Sequence, residues 1–166
     1  DIEKMFKLTS KISTSNMHLF QTNGIIKKFK NTTEIIDSFY IERLRLYGER
    51  KRHMLDDIQD QMNLLANKVR FLNSVIKDEI IVRKLNKEEL IEMLTRMKFA
   101  KVNENFNYLI NIAIYKITKD EIKKLNDEFV DKKKEFNDLD KTSIKTLWKN
   151  DLDVLELSLE KKYKSV

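Results

Sequence analysis

From Thr33 to Glu79 an apolar stripe runs along the chain. It comprises Tyr40, Leu44, Tyr47, Met54, Ile58, Met62, Leu65, Val69, Leu72 and Ile76, in steps of mostly three and four. That is the period of a helix laying a narrow face against another helix, as in a coiled coil. The run holds no proline and a single glycine, Gly48. It predicts one rod-like helix of roughly 70 Å at ~1.5 Å rise per residue. The step Ile58–Met62–Leu65 slips the heptad by one residue, which predicts a local change of winding. Gly48 and Ile58 are therefore the expected points of flexure. Lys51 interrupts the stripe, and its stem is expected to lie along the seam with the amine in water.

Residues 1–30 lack helical period. Met17 and Leu19 on one side, Ile25 and Phe29 on the other, flank Gln21-Thr22-Asn23-Gly24. Asn-Gly takes the positive φ that hairpin turns need, predicting strands at about 15–20 and 25–29. Asn31 with Glu34 three residues on fits a helix cap. Beyond the rod, Ile80-Ile81-Val82 reads as a short strand or extended passage. Asn86 with Glu89 caps a short helix whose apolar side is Leu90, Met93, Leu94 and Met97. Lys101 to Asn105 reads as a polar loop, and Asn107 to Tyr115 as a compact apolar cluster. Thr118 with Glu121 opens a helix to about Asp140, with Ile122, Leu125, Phe129, Phe136 and Leu139 on one face. This helix is expected to return antiparallel along the rod. After a break at Thr142-Ser143 and a turn near Leu147-Trp148, Asn150 is expected to cap a last helix. Its Leu152, Leu155 and Leu159 stripe would cover the base of the rod.

The fold class expected is mainly α: a long antiparallel coiled-coil arm with a small helical cap at its tip and a short N-terminal β-hairpin. The divisions are 1–30 for the hairpin, 31–79 with 119–166 for the arm, and 80–118 for the tip. Composition agrees. Charged residues make up 36% of the 166 and hydrophobic ones 41%, with no proline and two glycines, a balance that favours exposed helix. With no cysteine, disulfides and cysteine-ligated zinc are excluded. No apolar run approaches the ~18–20 residues of a membrane span. No signal peptide is visible, and a start at Asp1 fits a fragment whose targeting signals lie elsewhere.

The net charge of +6 is uneven. Residues 1–53 hold eleven Lys/Arg against six Asp/Glu, the remainder 22 against 21. A basic first third can mark contact with a polyanion, with Lys7, Lys11, Lys27, Lys28 and Lys30 as the DNA-proximal candidates; a solvated surface is the plainer reading. No phosphate-binding loop, nucleophile elbow or His-Glu-x-x-His motif occurs, so no catalytic residue is assigned. His18 and His53 share no cluster, and no metal site is assigned. Asp151-x-Asp153 imitates a metal motif but is accounted for by capping at a helix N-terminus. The apolar tip differs. Leu109, Ile110, Ile112 and Ile114 sit at the far end of a rod, where little core exists to receive them. They either pack on Leu90, Leu94 and Met97 or form a self-association patch.

Several stretches resemble one family. Lys7-Leu-Thr-Ser-Lys-Ile-Ser-Thr-Ser-Asn-Met-His-Leu-Phe20 and Gly24-Ile-Ile-Lys-Lys-Phe29 are similar to the segment where eukaryotic-type DNA topoisomerase II, a type IIA topoisomerase, leaves its DNA-gate tower. Glu34-Ile-Ile-Asp-Ser-Phe-Tyr40, Arg43-Leu-Arg-Leu-Tyr47 and Arg50-Lys-Arg52 resemble the start of that family's long helix. Asn107 to Lys119 resembles its tip, and Leu147-Trp148 with Asp151-Leu-Asp153 its closing stretch.

The resemblance implies dimers that cut one duplex, pass another through it and reseal, using ATP and Mg²⁺. It implies an exit gate (C-gate) formed where the arm tips meet. On this reading Leu90, Leu94, Leu109, Ile110, Ile112, Ile114 and Tyr115 form or support a homodimer contact. The catalytic tyrosine, metal cluster and ATPase lie upstream, so this segment needs no cofactor and is inactive alone. The partners implied are a second copy and, in the whole enzyme, double-stranded DNA, with no membrane. The compartment implied is the nucleus or a viral replication site. Ala113 stands where the family often has proline or a bulky basic residue, and Tyr115 where it has tryptophan. The short Lys98–Asn107 linker replaces a long acidic insertion, as in a compact or viral version. The residues alone also fit a structural coiled-coil spacer or interaction module unrelated to topoisomerases.

Overall fold

The computed structural model describes residues 2–10, 13 and 15–163, which form two compact units, 1–49 and 50–166. The chain is mainly helical, with one antiparallel hairpin near its N-terminus.

In the first unit, a short helix α1 (Ile2–Met5) precedes strands β1 (His18–Phe20) and β2 (Ile26–Lys28). These pair with His18 opposite Lys28 and Phe20 opposite Ile26. The hairpin is the expected one with shorter strands. Its turn corrects one detail, since only Gly24 takes a positive φ, at 78°. Gly24 N–H donates to the Gln21 carbonyl (2.9 Å) and Gln21 N–H to that of Ile25 (2.9 Å). This is a three-residue loop closed by a left-handed glycine. Asn23 contributes its side chain instead, accepting from Ile25 N–H at 3.0 Å.

Helix α2 (Thr32–Ile76) spans 45 residues without a break. Asn31 Oδ1 accepts from Glu34 N–H at 2.9 Å, the expected cap. Glu34 Oε2 accepts from Lys30 N–H (2.8 Å) and Oε1 pairs with Lys27 Nζ (2.9 Å). One carboxylate thus ties the second strand to the first helical turn. The Lys30 N–H, and then the Lys27 ammonium, hold its pKa below the ordinary 4.5.

The second unit contains α2 from Arg50 onward, α3 (Lys87–Arg96), α4 (Asn107–Ile110), α5 (Lys119–Lys141) and α6 (Ile144–Tyr163). Here α5 returns antiparallel along α2: Lys51 lies by Asp140, Met54 by Leu139, Val69 by Phe129 and Leu72 by Leu125. The stripe is the buried seam, with Ile58, Met62 and Leu72 buried and Met54, Leu65 and Val69 half-buried. Lys51 corrects an expectation. Its amine does not end in water but donates to the Asp140 carbonyl at 2.8 Å, where a cation complements the negative end of α5.

At its far end α2 leaves through a left-handed Asp78 (φ 58°). Asp78 N–H donates to Val75 O (3.1 Å) and Glu79 N–H to Ser74 O (2.9 Å), a Schellman closure. The chain then drops Ile80 straight into the core, and Val82–Lys84 makes a 3₁₀ turn. The strand expected at 80–82 is therefore absent, because this closure turns the run inward, where it pairs with no other strand.

Asn86 and Glu89 form the full reciprocal cap of α3, and Thr118 caps α5 by accepting from Glu121 N–H (3.2 Å). Helix α6 corrects another expectation. Ser143 Oγ accepts from Thr146 N–H (3.0 Å), so the helix starts at Ile144 and Asn150 lies in its interior. Asp151 is thus no N-terminal cap; it pairs with Arg50 at 2.6 Å. Leu152, Leu155 and Leu159 remain exposed.

Candidate functional site

The tip is built around Phe71, Leu72, Ile80, Leu90, Leu94, Phe99, Phe106, Leu109 and Leu125. Phe71 and Phe99 meet edge-on, centroids 6.3 Å apart. Arg70 stacks its guanidinium on Phe99 (4.3 Å to the centroid) and donates to the Met97 carbonyl at the end of α3. Tyr108 Oη donates to Ala100 O at 2.7 Å, and burial pushes its pKa up. Val102 and Asn105 exchange both backbone hydrogen bonds (3.0 and 3.1 Å) across Asn103 and Glu104, each at positive φ. The expected polar loop is therefore a two-residue turn of the I′ kind, formed without glycine.

The structure sorts the tip candidates into two layers. Leu90, Leu94 and Leu109 are buried inside the protomer, Leu94 and Leu109 with no exposed surface at all. They can back a contact but not touch a partner. Ile110 and Ile112 are half-buried. Ile114 and Tyr115 stand outside, 86% and 79% exposed, on a 3₁₀ turn held by Lys116 N–H to Ala113 O (2.9 Å). Beside them is an open depression of about 460 Å³, lined by Val75, Ile80, Ile81, Val82, Ile110, Ile112 and Ile117. Apolar projections next to an unfilled apolar hollow are the two halves of a self-complementary contact.

The basic candidates are not alike. Lys27 is engaged by Glu34 and lies over the Phe29 ring (4.9 Å). Lys28 and Lys30 are exposed, and Lys7 follows α1 with a left-handed backbone. Lys11 lies outside the described residues. His18 Nδ1 is bonded to Asn16 Oδ1 (2.7 Å), and His53 to Asp57 (2.9 Å). Among the described residues no three His, Asp or Glu side chains come together as metal ligands, and no helix is long and apolar enough to cross a membrane.

Sequence reasoning missed Phe71, Phe99 and Phe106 in the core. The signal available was the doubling of the stripe to Phe71-Leu72 and Val75-Ile76, which widens the buried arc. The Arg70–Phe99 contact has no signal in spacing.

These features have a family. Residues 1–153 match the family described as DNA gyrase/topoisomerase IV, in its A-type polypeptide, and the chain belongs to that family, the type IIA topoisomerases. Among individual relatives, DNA topoisomerase 2 of Acanthamoeba polyphaga mimivirus is 34% identical over 157 residues, covering 89% of this chain and 12% of that protein. DNA topoisomerase 2 of Arabidopsis thaliana is 30% identical over 199 residues, covering 95% and 13%. The chain thus spans about an eighth of the relatives it matches. In fold it is similar to the DNA-binding, cleavage and re-ligation domain of Plasmodium falciparum topoisomerase II, with TM-score 0.85 and 24% identity over 99% of this chain and 26% of that one. Family membership rules out a spacer unrelated to topoisomerases. The Arabidopsis alignment is longer than this whole chain, so that relative carries positions with no counterpart here.

Proposed function

We propose that this chain is the exit-gate arm of a type II DNA topoisomerase. Two copies meet reversibly through residues 80–118, and the transported duplex leaves between them. Residues 31–79 and 119–166 form the arm, and 1–30 end the DNA-gate region. The observation that carries this reading is Ile114 and Tyr115 standing exposed beside the isoleucine-lined hollow. A two-fold axis near Ile114 lets each copy fill the other's hollow.

Burying side chains of this size contributes roughly 1.5–3 kcal/mol each. A patch so small suits a gate that must open, where a large obligate interface would not. In the whole enzyme the reaction is ATP-dependent strand passage. ATP and Mg²⁺ would act in other parts of it, and the exposed Lys28 and Lys30 would face DNA phosphates. The shortness of the Val102–Asn105 turn supports a compact version of the gate such as a viral enzyme carries.

The chain has no cysteine, so a Tyr115→Cys variant carries a single thiol. Mild oxidation is expected to give a disulfide-linked dimer, while Lys133→Cys on α5 gives none. Equal crosslinking from the two positions would refute the tip contact.

A further inference from the structure

A second surface of the 50–166 unit has no role in the gate. Along one side of the α2–α5 seam lie two adjoining depressions of about 450 and 470 Å³, which share Asp131 and Glu135 in their walls. Their floor is apolar: Met54, Leu64 and Leu65 from α2 and Leu139 from α5, all half-buried. Their α5 wall is acidic. Glu128, Asp131, Glu135 and Asp138 recur at steps of three and four, one helical face. Among the described residues Glu135 is paired, with Lys132 at 2.7 Å, whereas Glu128, Asp131 and Asp138 have no cationic partner. In a chain of net charge +6, a run of unpaired carboxylates beside an apolar floor is a local reversal of sign.

We propose that this groove docks a lysine-rich amphipathic helix of a partner protein. From Met54 to Leu65 the floor is roughly 16 Å long, about three helical turns. Leucine-type side chains at i, i+3/i+4 and i+7 of the partner would meet the floor. Lysines along their flank would meet Glu128, Asp131 and Asp138, and one could take Glu135 from Lys132. This is helix-in-groove recognition with the charges setting orientation and on-rate.

The test titrates the chain into a fluorescein-labelled leucine–lysine helix of about fourteen residues, long enough to cover the floor, and reads anisotropy. Saturable binding is expected. It should weaken at least tenfold for Asp131→Asn/Glu135→Gln/Asp138→Asn, a set of exposed residues whose helicity circular dichroism checks. It should also weaken at least tenfold for a peptide of the same composition with the leucines out of helical period. Equal affinity in either comparison overturns the proposal, the second because charge alone would then suffice. Ile114→Asp/Tyr115→Asp is expected to bind the peptide like the parent chain, which separates this site from the gate contact. Loss of binding in that variant would place the peptide elsewhere and refute the groove.

Discussion

Arg70 holds the end of one helix from the flank of another. Its guanidinium lies 4.3 Å from the Phe99 centroid while it donates to the Met97 carbonyl, and weakly to that of Lys98 (3.4 Å). A single α2 side chain therefore covers a core aromatic and satisfies carbonyls that α3 leaves open at its C-terminus.

Arg70→Ala removes both interactions at an exposed position. The expected cost is about 1–2 kcal/mol, a fall of roughly 2–8 °C in melting temperature for a chain of this size. Arg70→Lys should recover only part, since an ammonium neither stacks flat nor forks. Thermal unfolding followed by circular dichroism checks both.

Two Schellman closures are made without glycine, at Asp78 (φ 58°) and Lys98 (φ 55°). Lys98 N–H donates to Thr95 O and Phe99 N–H to Leu94 O, both at 3.0 Å. Left-handed backbone costs an L residue roughly 1–2 kcal/mol, partly offset by the greater freedom glycine has in the unfolded chain. Asp78→Gly and Lys98→Gly are each expected to stabilise by about 0.5–1 kcal/mol. Urea midpoints should rise with unchanged slope.

Leu109 and Ile114 are five residues apart and opposite in burial. Leu109→Ala is expected to cost ~2–5 kcal/mol through the cavity it leaves. Ile114→Ala should stay within about 0.5 kcal/mol in monomer stability while weakening self-association. Urea unfolding at low protein concentration, where monomer dominates, separates the two.

The Glu34 carboxyl is expected to titrate below 4.5 by carbon-detected NMR, and Lys27→Ala to move its midpoint up. A depressed folded-state pKa means its stabilisation is present above the unfolded value and is lost as pH falls through the folded one. The tie between β2 and α2 should therefore loosen on acidification, seen as faster amide exchange at Lys30.

The helices were legible because their causes are local. Period-three-and-four apolar spacing places Ile58, Met62 and Leu72 on the seam, and Asn86, Thr118 and Asn31 cap where short polar side chains are expected to. What failed to show in the sequence was decided by tertiary context. Ile80-Ile81-Val82 has the composition of a strand, but Asp78 turns Ile80 into the core. Ser143, not Asn150, starts α6, because nothing between them breaks the helix. The Asn103-Glu104 turn lacks glycine and so lacks its usual mark. At the tip, hydrophobicity alone grouped Leu109 with Ile114, though one fills the core and the other faces out.

The central claim is that the outward apolar residues of the tip join two copies. Sedimentation equilibrium of the parent chain and of Ile114→Asp/Tyr115→Asp, with circular dichroism confirming equal helicity, addresses it most directly. The account predicts a concentration-dependent dimer for the parent and a monomer for the variant at every concentration. A parent that stays monomeric, or a variant that dimerises as strongly as the parent, would contradict it.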